Sequence, residues 1–273
     1  MPYDRPSAPK RLRVRKMGFD FSEVPKKWFY DSIVVSHIAN GLNLVFPAGE
    51  QFFVRSVRHF IKQIDDPALR ARVRGFGGQE ASHGHEHEQA FKILEAQGYE
   101  IRQWLDWYQR VAFEQLEPRV PPVLRLSTTA AMEHFTATLA EQGLSTEFLD
   151  HAHPVMRDLL RWHAAEEIEH KSVAYDVLQH VDDRYIVRVA GLVVAAGLLM
   201  TFWRSATRML LAQEDISKKQ IAAERKAARA RGQNNSFLLE AIGSYLRPNF
   251  HPDQIDNDAM ARDYLRSIGR LTS

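Results

Sequence analysis

Residues 156–181 read MRDLLRWHAAEEIEHKSVAYDVLQHV, and one face of this stretch sets three polar residues inside an apolar stripe. Alternating steps of four and three give Met156, Leu160, His163, Glu167, His170, Ala174, Val177 and Val181. That spacing puts the side chains on one side of an α-helix, and an apolar helix face turns towards a core. A carboxylate buried there is tolerable only when protonated, paired or bound to a cation. Glu167 and His170 stand three apart, so both project to the same side, one turn from each other.

The same arithmetic upstream gives Leu69, Val73, Phe76, Glu80, His83, His87, Ala90 and Leu94. Two further stripes each carry a lone glutamate. One is Phe46, Glu50, Phe53, Val57, Phe60, Ile64; the other is Leu126, Ala130, Glu133, Ala137, Ala140, Leu144. The alanines around Glu133 leave room for an ion or a substrate. Two helices with one Glu and two with Glu-x-x-His is the ligand formula of ferritin-like dimetal bundles. Glu50 and Glu80 are 30 residues apart and Glu133 and Glu167 are 34 apart, which suits two antiparallel hairpins. The 53 residues from Glu80 to Glu133 suit the long crossover between them.

Long stripes of helical period dominate the chain, so the expected fold is all-α: a ferritin-like four-helix bundle with additional C-terminal helices. Helices are expected over about 31–64, with a break near Gly41 or Pro47 allowed, and over 67–97, closed by Gly98. Others are expected over 101–115, 123–142 with Gly143 closing it, 153–181, 185–211 and 258–268. Residues 1–27 read as a basic flexible arm, 28–215 as the metal-binding bundle and 216–273 as a charged helical extension. The 273 residues, 45% of them hydrophobic, suffice for one large core. The net charge of +2 gives no field that argues for nucleic acid. With no cysteine, thiolate sites and disulfides are excluded, which fits a cytoplasmic protein.

Three motifs carry a family resemblance: Phe46-Pro-Ala-Gly-Glu50, Gln79-Glu80-Ala-Ser-His83 and His163-Ala-Ala-Glu-Glu167-Ile-Glu-His170. Over about residues 28–215 the chain resembles the bacterial family labelled predicted metal-dependent hydrolases. The His-x-x-x-Glu-x-x-His run is also similar to that of the di-iron N-oxygenases that oxidise arylamines. By that likeness His163 is a third imidazole ligand, and the ligand set becomes Glu50, Glu80, His83, Glu133, His163, Glu167 and His170. Whether His87 takes the place of His163 stays open. Glu50, Glu133 and His87 are the candidate catalytic residues.

The chemistry has competing readings. Carboxylate and imidazole donors suit two metal ions, iron first, with manganese or zinc as alternatives. Because the stripes are apolar beyond the ligands, the first reading is oxidation of a small apolar organic substrate with dioxygen. The second is hydrolysis by a metal-activated water, as the family label implies, and the third is a non-catalytic metal or redox protein. Glu50 could also be a first-turn glutamate behind Pro47. His85, Glu166 and Glu169 read as surface groups, and His134 should face away from Glu133. Arg55 and Arg58 either pair with ligand carboxylates or are exposed. Val189–Trp203 is shorter than the roughly 20 residues that span a bilayer. It reads as a buried fifth helix, or as a peripheral membrane contact through 186–211. A homodimer stays open.

Overall fold

The computed structural model describes residues 12–230 and 236–271. Among them the chain is helical, and the one β-type pairing is an isolated antiparallel bridge between Phe29 and Ala152. Helix α1 (Ile33–Arg58) starts at Ser32, whose side chain accepts from the Val35 N–H. Helix α2 (Pro67–Ala96) starts at Asp66, which accepts from the Ala68 N–H, with Pro67 at the first position. Both are caps that satisfy backbone donors left free at a helix start. Gly98, at φ +94°, turns the chain out of α2. Helix α3 (Arg102–Tyr108) runs into a π-helical stretch over Gln109–Leu116. Then follow α4 (Pro122–Ser145), α5 (Pro154–His170), α6 (Val173–Val181) and α7 (Tyr185–Leu211). Helices α8 (Lys218–Ala230), α9 (Ser236–Tyr245) and α10 (Asp258–Ser267) complete the chain.

Helix α1 packs on α2, α4 and α7, and α4 packs on α5, α6 and α7. Val73, Phe76 and Leu126 are fully buried in the shared core, and each such side chain contributes roughly 1.5–3 kcal/mol. Helix α7 lies close against α1 and α4 because Gly41 and Gly191 have no side chain. A Cβ at Gly41 would overlap Thr207, and one at Gly191 would overlap Ser127.

Several boundaries depart from the sequence reading. The first helix ends at Arg58, residues 59–63 continue as turns, and Phe60 and Ile64 stay buried. Pro47 lies inside α1 without ending it. Gly143 is buried within α4 and does not close it. The stretch read as one helix over 153–181 is two, parted at Lys171 and Ser172. Lys171 is buried there, its Nζ donating to the Ile255 carbonyl and Asn257 Oδ1 at 2.6 Å each. The arm is not free where it is described: Leu12, Arg15, Phe21 and Val24 are buried. Its residues 1–11 lie outside the described residues.

Candidate metal centre

Four helices converge on one buried cluster. Glu50 comes from α1, Glu80 and His83 from α2, Glu133 from α4, and His163, Glu167 and His170 from α5. All seven side chains are at most 5% exposed. Glu167 Oε1 lies 2.9 Å from His163 Nε2, 3.4 Å from His170 Nε2 and 3.6 Å from His83 Nδ1. Glu80 lies 3.3 Å from His170 Nε2 and 3.8 Å from His83 Nδ1. Glu50 faces His163 Nε2 at 3.7 Å, and Glu133 faces His170 Nε2 at 3.4 Å. Thus Glu80 and Glu167 occupy the middle, Glu50 with His163 one end, and Glu133 with His170 the other. Three sets, Glu50–His83–His163, Glu80–His83–Glu167 and Glu80–Glu133–His170, bring one donor atom per residue within 4.8 Å of one another.

The donors lack the partners that burial demands. Among the described residues, both oxygens of Glu50, Glu80 and Glu133 have no hydrogen-bond partner. Nor do Glu167 Oε2, His83 Nδ1 and His170 Nε2. Each such buried polar atom costs about 1–3 kcal/mol unless something satisfies it. Oxygen and imidazole donors without sulfur, orphaned together, fit divalent transition-metal ions.

The outer nitrogens of the histidines are held. His83 Nε2 lies 3.0 Å from Glu166 Oε2, so Nε2 carries the proton and Nδ1 turns its lone pair inward. His170 Nδ1 donates to Gln79 Oε1 at 3.1 Å, which turns Nε2 inward. The Gln79 amide is fixed in turn, its Nε2 donating to Glu169 Oε2 at 2.8 Å and to the Arg13 carbonyl at 3.1 Å. His87 Nδ1 donates to Asn43 Oδ1, so His87 Nε2 accepts from His163 Nδ1 at 2.6 Å. His163 Nε2 faces the cluster, 2.9 Å from Glu167 Oε1. In this arrangement His163 faces the cluster and His87 stands behind it. Both ring nitrogens of His87 are engaged, Nδ1 by Asn43 and Nε2 by His163.

Charge follows the same layout. Burial pushes the Glu50, Glu80 and Glu133 carboxyls well above their usual range, and the facing carboxylates push them further. Burial acts on Glu167 as well, but His170 and His163 outweigh it and hold that carboxyl well below its usual range. Burial, then the neighbouring His163, depresses His83 and His87, so both rings are neutral. Neutral imidazoles are the form that ligates.

A family match bears on this donor set: the family described as predicted metal-dependent hydrolase matches residues 13–256. The chain belongs to that family. Its match begins inside the arm and ends beyond residue 215, so it crosses both of the domain limits expected from the sequence. No curated protein matches the chain. No solved structure matches it either.

In this family member, sequence reasoning missed residues that hold the ligands. Glu166, read as exposed, is fully buried and accepts from His83, from Trp162 Nε1 at 3.1 Å and from Arg15 Nη1 at 2.8 Å. Glu169, also read as a surface group, pairs with Arg15 at 2.6 Å. Glu86 is buried and accepts from the backbone N–H groups of Gly18 and Phe19. The arm therefore clamps the outer side of α2 and α5. Glu50 is in mid-helix, eighteen residues into α1, so the first-turn reading fails. Arg55 pairs with Glu117 at 2.7 Å and Arg58 is exposed, so neither reaches a ligand carboxylate. His85 is exposed, and His134 faces away to the Ala241 carbonyl at 2.9 Å, as the sequence suggested.

A cavity of about 110 Å³ lies between α1, α4, α7 and the π-helical stretch. Phe46 and Phe53, one turn either side of Glu50, line it, and so does Thr136, one turn after Glu133. The Phe46 ring lies 4.9 Å from both the His87 and the His163 rings. The remaining wall is apolar except for Thr128, the Tyr108 hydroxyl and Trp203 indole N–H, which donate to the Val45 and Ile38 carbonyls, and the pair Arg125–Glu117, 3.6 Å apart.

Proposed function

We propose that the cluster holds two metal ions, iron in the working protein, in a ferritin-like bundle, and that the protein oxidises a small apolar molecule with dioxygen. The observation that carries this reading is the largely apolar cavity lined by Phe46 and Phe53, one turn either side of Glu50, and by Thr136, one turn after Glu133. Two divalent ions would balance the four central carboxylates, and the middle positions of Glu80 and Glu167 suit bridging. Bound iron would supply redox chemistry and dioxygen activation.

The chain's own groups then divide the work. Glu50, Glu80, His83, Glu133, His163, Glu167 and His170 would bind the ions. Glu166, Gln79 and His87 orient the three imidazoles and keep their inner nitrogens deprotonated. Phe46, Phe53 and the α7 side chains exclude water and seat the substrate. Nothing on the cavity wall besides Arg125 is cationic, and Arg125 is engaged by Glu117, so an ester or phosphate finds little to hold its charge.

The family description favours a second reading, hydrolysis by a water activated between the metals. One comparison separates the two. Protein loaded with Fe(II) without air, then exposed to oxygen with small aromatic and aliphatic amines and hydrocarbons, should consume oxygen in step with product. Ester or amide turnover by the zinc or manganese form, with no substrate-dependent oxygen uptake by the iron form, would overturn oxidation.

A further inference from the structure

Helix α7 has two apolar faces but only one neighbourhood of protein. Its 27 residues carry a mean hydropathy of 2.0 over the most apolar window, and only 28% of that window is buried. The inner face packs on α1 and α4 and lines the cavity through Val194, Leu198 and Phe202. The outer face reads Ile186, Ala190, Val193, Gly197, Thr201, Arg204 and Arg208, all exposed and all on one helical stripe. Ile186 is 69% exposed and Val193 66%.

Other exposed apolar side chains neighbour α7 on its cavity side and at its start. Trp107 stacks edge-on against Phe202 of α7, and Leu116 lines the cavity that α7 walls. Tyr185 opens the helix, and its hydroxyl donates to the carbonyl of Leu246, itself exposed. Of the large apolar groups standing in solvent among the described residues, Val14 on the arm and Leu239 on α9 complete the set. A patch of this kind on a soluble surface marks a contact site.

We propose that this face docks on an anionic lipid bilayer, with α7 lying in the plane of the interface. Charge selects the occupant. Helix α7 contains no Asp or Glu, and its only exposed charges are Arg204 and Arg208. A second copy packed face to face would set those arginines against the same helix face, which itself carries no Asp or Glu, whereas anionic headgroups satisfy them. Tyr185, exposed at the start of the helix, places an amphipathic ring where headgroups meet acyl chains. Length selects the mode. Ile186 to Thr201 rises about 22 Å, short of the roughly 30 Å hydrocarbon core, and the inner face is already occupied by α1 and α4. The helix therefore lies on the membrane and does not cross it. This docking is independent of the reaction proposed above, although it would set the cavity beside the lipid phase.

The test is sedimentation of the full chain with vesicles of phosphatidylcholine, with and without phosphatidylglycerol. The expected result is binding to the mixed vesicles that weakens with added salt, and a blue shift of tryptophan emission on binding. Val193→Asp, and separately Arg204→Glu with Arg208→Glu, should each lower partitioning about tenfold or more while metal content and melting temperature hold. Wild-type protein that ignores both vesicles would overturn the proposal, as would variants that bind like wild type. So would a stable dimer by light scattering that Val193→Asp splits, because the face would then belong to a second copy.

Discussion

Replacing Glu166 by glutamine changes one charge at nearly constant volume, and it tests whether His83 is aimed by its neighbour. Glu166 Oε2 takes the His83 Nε2 proton at 3.0 Å in a fully buried setting, and Arg15 holds Oε1 of the same carboxyl at 2.8 Å. With glutamine the imidazole loses a charged acceptor, Nδ1 becomes a poorer donor, and Arg15 keeps Glu169 as its charged partner beside the Arg270 and Arg13 carbonyls. Such partners of a ligating histidine typically contribute 10–100-fold in metal affinity, or about 1.4–2.7 kcal/mol. The expected outcome is a loss in that range when a chromophoric chelator competes for Zn(II) at constant pH. Helicity and the cooperativity of unfolding should stay intact, since Trp162 and His83 still meet a polar side chain. Arg15→Gln, which leaves Glu166 in place, should lose less. An affinity for Glu166→Gln within about twofold of wild type, in a folded protein, would refute the reasoning.

Two further outcomes follow from other parts of the molecule. Burial holds His134 neutral, lowering it from 6.5 to about 4 against the opposing bond to Ala241. The unfolded chain takes up a proton below pH 6.5 and the folded one does not until about 4, so stability should fall by roughly 2 kcal/mol between pH 7 and 5 from this group. Urea unfolding at the two pH values should show that fall, and His134→Gln should flatten it; equal slopes in both proteins would exclude this origin. Leu198→Trp should fill much of the cavity beside Phe46 and abolish turnover without reducing bound metal. Retained turnover would place the substrate elsewhere.

The sequence exposed the parts of this molecule that are periodic. The stripe through Glu80 and His83 and the one through Glu167 and His170 are short-range facts, and α2 and α7 keep the limits their caps and charges suggested. What stayed hidden depends on groups far apart in the chain. The break after His170 involves neither Gly nor Pro; Lys171 is held by Ile255 and Asn257, more than 80 residues on. Helix α9 falls in the extension expected to be helical, but its limits were not legible there. Glu166 falls off the ligand stripe and so reads as surface, until Arg15, 151 residues away, covers it. The order of His163 and His87 likewise rests on Asn43, a side chain from another helix. Pro47 showed the opposite failure, a local breaker that a well-packed helix absorbs.

Metal content by elemental analysis bears most directly on the centre itself, with wild type compared against Glu80→Ala and Glu167→Ala. Glu80 and Glu167 hold the middle of the cluster, so the account predicts about two ions per wild-type chain and well under one in either variant. Wild-type protein that binds no transition metal, or variants that keep the full complement, would contradict it.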